Sequence, residues 1–162
     1  RTAAENAILT PGQRSSHQIV PHGGFTDPEY ASVGMSEPQA KASGQEYLVA
    51  TTQYADLDRA VIDGFTEGFF KLIVSLDNHR ILGAHAVGEQ AVEIIQIVAA
   101  SMTADMWVEQ MAEMEFSYPT YTAIVGVTAR KAVYALGVMP LAPQWRTLGR
   151  SIAAEWERGE GI

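Results

Sequence analysis

The 162-residue sequence predicts an α+β domain, an antiparallel sheet with helices packed on one side. Two patterns carry that expectation. Phe69 to Leu76 alternates so that Phe70, Leu72, Val74 and Leu76 share one strand face. Asp77-Asn78-His79-Arg80 is turn chemistry, and Ile81 to Val87 returns as the partner strand of an antiparallel hairpin. Glu89 to Met102 changes the period: Val92, Ile95, Ala99 and Met102 follow 3-4-3 spacing, one apolar stripe on a helix. A third observation excludes the main competitor. No glycine-rich dinucleotide fingerprint follows a strand, and Gly83 and Gly88 fall in or beside a hairpin strand, so a parallel doubly wound sheet is not indicated.

The remaining elements follow in order. Residues 1–8 look like the remnant of a helix, and Pro11-Gly12-Gln13-Arg14-Ser15-Ser16 has loop composition. Ile19 to Thr26 holds a short strand interrupted by Gly23-Gly24, and Asp27-Pro28 makes a turn. Tyr30 to Met35 is a second strand. Ser36 caps a short helix, with Gln39 completing a capping box and Gly44 as its stop. Gln45 to Tyr54, rich in Val and Thr, is a third strand, and Asp56 to Gly64 reads as a polar, solvated connection. Ile94, Ile97 and Val98 widen the stripe of the long helix toward a second face, so that helix is expected to be buried on two sides. Ala104 to Met114 reads as a short helix with Trp107, Met111 and Met114 apolar. Pro119 suits the first turn of a helix running to about Leu136, with Gly137 as stop. Beyond Pro140 and Pro143, Trp145, Leu148, Ile152 and Trp156 fit a helical tail.

Composition narrows the functional classes. A formal net charge of −8 argues against phosphate-neutralising nucleic-acid binding and against an anionic membrane surface. No run approaches the roughly 18 apolar residues of a membrane span. There is no cysteine, so disulfides, thiolate metal sites and a thiol nucleophile are excluded within this chain. The N-terminus lacks a signal-peptide apolar region, and the expected setting is cytoplasmic. His17, His22, His79 and His85 show no metal-ligand spacing, and no metal is expected. His85 reads as a partly buried sheet residue and His79 as a solvated turn residue. Asp27, Glu29 and Glu37 have turn and cap explanations. Asp105, Glu109, Glu113 and Glu115 form an acidic patch, either a solvated helix face or a contact for another domain. Met102, Met106, Met111 and Met114 are read as fillers of core or interface gaps.

Three segments in this order carry a family resemblance: Phe25-Thr26-Asp27-Pro28-Glu29, Gly83-Ala84-His85-Ala86-Val87-Gly88 and Phe116-Ser117-Tyr118-Pro119-Thr120. With Thr66 to Leu72 and Ile81 to His85, they resemble the C-terminal dimerisation domain of the flavoprotein pyridine nucleotide–disulfide oxidoreductases. The resemblance covers roughly residues 18–140. It implies that residues 1–17 close an upstream flavin domain and its linker, that 18–140 is the dimerisation domain, and that 141–162 is a helical tail. It also implies a homodimer, with FAD and NAD(P)H held in the full-length parent by upstream domains, and no cofactor in this chain alone. The isolated chain is then expected to be inactive.

In that family a His-Pro-Thr loop reaches the partner subunit's flavin, and a Glu five residues on orients the His. Here Tyr118 stands at the His position and Ala123 at the Glu position. Imidazole titrates near working pH, whereas tyrosine titrates near 10, so no catalytic residue is assigned. The resemblance implies cofactor binding by Tyr118, Pro119 and Thr120, with Tyr118 lining a flavin site used for hydride or electron transfer without dithiol chemistry. The bland alternative is a structural aromatic at a turn. At the level of the whole chain, the alternatives are a non-enzymatic interaction module or degenerate family member, and a small-ligand sensor using a pocket at Tyr118.

Overall fold

The computed structural model describes residues 19–137, so the predicted helix remnant, linker and tail lie outside the described residues. The strands are β1 (His22–Gly24), β2 (Tyr30–Gly34), β3 (Tyr47–Gln53), β4 (Phe69–Ser75) and β5 (Ile81–Val87). The helices are α1 (Glu37–Ala42), α2 (Asp58–Asp63), α3 (Ala91–Thr103), α4 (Val108–Glu113) and α5 (Ala123–Ala135), and a single 3-10 turn spans Tyr54–Asp56. The strands form one five-stranded sheet in the order β1-β2-β5-β4-β3, antiparallel throughout. The predicted α+β class is the observed one.

Strand period places the core. In the registers observed, Phe70 lies between Thr52 and Ala86, and Leu72 between Ala50 and Ala84. Ala31 and Val33 continue the same face on β2. All of these are buried, beneath α3 on β2 and β5 and beneath α5 on β3 and β4. Burying side chains such as Phe70, Leu72, Ile94 and Ile124 contributes about 1.5–3 kcal/mol each. The opposite face carries Ser32, Thr51, Lys71 and His85 and is half-buried. There Lys71 pairs with Glu37 of α1, and His85 Nε2 lies 3.1 Å from the Met35 carbonyl.

Several details differ from the sequence reading. The buried stripe of α3 is Ala91, Ile94, Ile95, Val98 and Ala99, while Val92 and Met102 sit at its margins. Leu76 leaves the inner face and is exposed, because β4 ends at Ser75 after a register irregularity at Ile73/Val74. Asp56–Gly64 is not a solvated loop. Leu57 and Ala60, three apart, are buried and hold α2, and Gly64 ends it at φ 80°. Pro119 does not open α5. Residues 117–120 close their own turn, in which Thr120 Oγ1 donates to the Ser117 carbonyl at 2.7 Å. The α5 ladder then starts from the carbonyls of Tyr121 and Thr122.

His79 is also corrected, from solvated to half-buried. Its ring pairs with Glu109, and its carbonyl accepts from the Val108 N–H at 3.0 Å. Arg80 adds an ion pair with Asp105 at 2.9 Å and lies over the Trp107 ring at 5.1 Å. Part of the acidic patch is therefore committed to fixing the β4–β5 turn onto the start of α4. Glu29 caps α3, its Oε2 accepting from the Val92 N–H at 3.2 Å. Met111 is buried in the core, as gap-filling predicts.

Two polar ties cross the core. The hydroxyls of Thr52 and Thr128 lie 2.8 Å apart, and Thr128 Oγ1 also lies 2.8 Å from the Ile124 carbonyl. Thr128 has one proton, so donating to the carbonyl and accepting from Thr52 satisfies all three groups. The second tie is aromatic. Tyr54, fully buried, donates to the Glu89 carbonyl at 2.9 Å, and its ring occupies the space a Cβ on Gly88 would need. Its ring centroid is 6.0 Å from that of Tyr121, whose hydroxyl donates to Asp63 Oδ2 at 3.0 Å.

Two tests follow from these ties. Thr128→Val strands the buried Thr52 hydroxyl and should cost about 1–3 kcal/mol in urea unfolding. Adding Thr52→Val should recover most of that loss, and a double variant as unstable as the sum of the singles rules out the pair. Burial, then the bond to Asp63 and its charge, push the Tyr121 pKa up to about 12. Unfolded tyrosine titrates near 10, so between about pH 10 and 12 the folded state binds more protons. That contribution is fully present below pH 10 and is lost as pH rises through 12. Tyr121→Phe should flatten the fall of stability across this window by about one proton's worth, and an unchanged slope would contradict the assignment.

Candidate functional site

The predicted site residues are brought together. Tyr118, Pro119 and Thr120 form one rim of a cleft of about 310 Å³ that Ala123 also lines. Tyr118 is 77% exposed, while Pro119 and Thr120 are half-buried. The turn is held from inside: besides its bond to Ser117, Thr120 Oγ1 lies 3.0 Å from Thr122 Oγ1. Phe116 packs against α5, which is possible because Gly126 has no side chain; a Cβ there would lie 2.7 Å from the Phe116 ring. Arg130, one turn further along α5, donates to the Ala112 carbonyl at 3.3 Å and joins α5 to α4. The loop therefore stands on α5 and the end of α4, with its aromatic side chain outward.

The opposite rim is built by α2, which the sequence reading took for a solvated connection. Asp58 and Arg59, in its first turn, line the cleft with Asp56 and Leu57. The Asp58 carboxylate, as a hydrogen-bond acceptor on the same cleft and then as a charge, holds the Tyr118 phenol above its ordinary value. Arg59 Nε donates to Asp63 Oδ2 at 2.7 Å, four residues along the helix. That bond, aided by the one from Tyr121, holds the Asp63 carboxyl below the usual carboxylate range. Asp58, Arg59 and Asp63 are the residues that sequence reasoning missed. The signals were present in Asp58 at a first turn, Gly64 as a stop, and Leu57 and Ala60 at helical spacing.

Chemically, the cleft offers a neutral phenol, three carboxylates and two guanidinium groups beside an apolar floor. A phenol held above 10 stays protonated near neutral pH, so it can donate a hydrogen bond or present its ring but cannot shuttle protons there. Ala123, where a carboxylate was absent in the sequence, contributes only a methyl group at the head of α5. Of the other histidines, His85 bonds a backbone carbonyl and His79 pairs with Glu109, both away from this cleft. Among the described residues, no group of three or more His, Asp or Glu is arranged to hold a metal ion.

Comparison with known proteins gives concordant results. Residues 20–133 match the family described as pyridine nucleotide-disulphide oxidoreductase, dimerisation domain. The chain is 37% identical over 134 residues to soluble pyridine nucleotide transhydrogenase of Klebsiella pneumoniae subsp. pneumoniae, covering 80% of this chain and 28% of that protein. It is 36% identical, with the same coverage, to the enzyme of that name from Escherichia coli O1:K1 / APEC. Among solved structures, the HOCl-induced flavoprotein disulfide reductase RclA from Escherichia coli is similar at TM-score 0.72 and 29% identity, over 78% of this chain and 30% of that one. LpdA from Mycobacterium tuberculosis, at TM-score 0.71 and 22% identity, covers 81% of this chain and 28% of its own, and shares the fold. The chain thus spans just over a quarter of the length of the curated relatives it matches. With the family match running from before β1 to the last turn of α5, the chain belongs to the pyridine nucleotide-disulphide oxidoreductase dimerisation-domain family.

Proposed function

We propose that this chain is the dimerisation segment of an FAD-dependent NAD(P)H oxidoreductase and that its Tyr118–Thr120 loop completes the flavin site of the partner subunit. The observation that supports this reading most is the loop itself. A large aromatic stands 77% exposed on a turn anchored by the Thr120 hydroxyl and backed by α5. An aromatic so placed suits a surface that another subunit covers. Within the segment, 18–140 forms the dimerisation domain, 1–17 closes the flavin domain before it, and 141–162 is an appended tail. The dimer forms through the sheet and the helices α3 and α5, whose outward faces include the exposed Tyr134. The setting is cytoplasmic; no described helix is long and apolar enough to cross a membrane.

Tyr118, Pro119 and Thr120 fit a flavin's edge as a ring, a rigid turn and backbone polar groups, without any titrating acid. Flavin, when bound, supplies hydride and electron transfer. The chain's part is to orient the loop and exclude water, and with tyrosine at 118 it provides no thiol proton relay. This favours pyridine nucleotide oxidation without dithiol chemistry. The relatives named soluble pyridine nucleotide transhydrogenase support a pyridine nucleotide as the reactant. A second reading, a non-enzymatic interaction module, is favoured by the joint presence of Tyr118 and Ala123 where the family resemblance expects His and Glu.

Two measurements separate them. The full-length parent should show a flavin absorbance spectrum that bleaches on anaerobic addition of NADH or NADPH, and a parent without flavin sinks the oxidoreductase reading in favour of the module. The 162-residue chain alone should purify colourless and without diaphorase activity, and stoichiometric flavin in it would contradict the assignment of the cofactor to upstream domains.

A further inference from the structure

We propose that α2 is the positioning element of the Tyr118–Thr120 loop, gripping it at both ends through Asp58 and Asp63. This rests on the reading that the loop meets a flavin. It adds residues outside the three-residue loop and assigns the orienting carboxylates to a different element from α5, where Ala123 carries none.

The grip has two points. At the C-terminal end of α2, Asp63 Oδ2 accepts from the Tyr121 hydroxyl at 3.0 Å, and Tyr121 is 3% exposed. Arg59 sets that carboxylate's orientation from one turn earlier, donating to the same oxygen at 2.7 Å and lying 5.9 Å from the Tyr121 ring centroid. At the N-terminal end, Asp58 lines the same cleft as Tyr118. A helix rises 1.5 Å per residue, so Asp58 and Asp63 lie about 7.5 Å apart along it, a span suited to meeting two tyrosines three residues apart in a turn. The helix itself is fixed by Leu57 and Ala60 in the core. The loop's ring and its base are therefore both referred to one rigid element.

Magnitudes say when the grip matters. Tyr118 and Asp58 are both exposed in the single chain, where water competes for the phenol proton and an attraction between the two is worth little. If a partner subunit covers the cleft, water leaves, the local dielectric falls and a bond to a charged acceptor strengthens. There the Tyr118 phenol has Asp58 as the acceptor that α2 supplies. What the loop offers its neighbour is a fixed ring and Pro119, with no proton to exchange.

The test uses full-length protein labelled at tyrosine Cζ with carbon-13, with the Tyr118 resonance assigned by its loss in Tyr118→Phe. The charged groups facing Tyr118 are Asp56, Asp58, Arg59, Glu115 and Arg130. Followed from pH 8 to 11, Tyr118 should titrate above the ordinary value in the wild type and fall back toward about 10 in Asp58→Asn. Asp56→Asn, which removes a neighbouring charge of the same cleft, should leave it unmoved. Asp63→Asn should lower the onset of Tyr121 ionisation. Turnover of NAD(P)H in Asp58→Asn should drop by about tenfold, the cost of a misplaced group at a reacting centre. A Tyr118 titration insensitive to Asp58→Asn, or equally sensitive to Asp56→Asn, overturns the grip. If the titration moves and turnover does not, the grip stands and the flavin-side reading of the loop fails instead.

Discussion

The burial of one face of a five-stranded antiparallel sheet is the constraint on which the rest of this domain depends. β4 and β5 lie at its centre, and their inward residues Phe70, Leu72, Val74, Ala84 and Ala86 are all buried. A face that apolar must be covered, and α3 and α5 cover it side by side, α3 over β2 and β5 and α5 over β3 and β4. Small residues on β5 and β2 let α3 approach, while the larger Phe70 and Leu72 fill the space under α5. Everything else is placed relative to these two layers. The α5 helix carries the loop before it, and the β3 exit carries α2.

The polar groups that enter this core are those that fix its geometry. Thr128 and Thr52 tie α5 to β3, the Tyr54 hydroxyl ties the β3 exit to the start of α3, and Tyr121 ties the loop to α2. Each bond joins elements distant in sequence, so each removes a sliding freedom that apolar packing alone leaves open. A hydrogen bond of this kind adds only about 1 kcal/mol net, but breaking it leaves a buried orphan at greater cost. The consequence for function is rigidity at the cleft. Its two rims, the Tyr118–Thr120 turn and α2, are each anchored to the covered sheet, and the aromatic that points outward does so from a fixed base.

With tyrosine at 118 and alanine at 123, the cleft carries neither an imidazole nor a carboxylate at those two positions. The loop turns because the Thr120 hydroxyl closes it onto the Ser117 carbonyl, and α5 begins where the Tyr121 and Thr122 carbonyls accept from Ile124 and Val125. Membership of the family states the architecture, and the reaction has to be argued from the residues at the site.

Much of the fold was legible because it is written in local periods. The alternation of Phe70, Leu72 and Val74, the turn at Asp77–Arg80 and the apolar stripe of α3 each state an element without reference to anything distant. The capping of α1 by Ser36 and Gln39, with the backbone N–H of Ser36 donating to Gln39 Oε1 at 2.8 Å, belongs to the same class. The order of these elements, with the Phe25, Gly83 and Phe116 segments, sufficed for the family and for the position of the loop. What the sequence left undecided depends on contacts between segments far apart in the chain. The α2 helix looked like polar loop because its burial rests on two small contacts, Leu57 and Ala60, and its charges find partners 58 residues away in Tyr121. His79 and Glu109 look solvated one at a time and become a pair only when the hairpin meets α4. The sequence by itself determined the strands and the long helices and singled out Tyr118, Pro119 and Thr120. Only the tertiary structure decided which carboxylates face those residues, because a charge acquires its role from its nearest partner in space, and no local period encodes that distance.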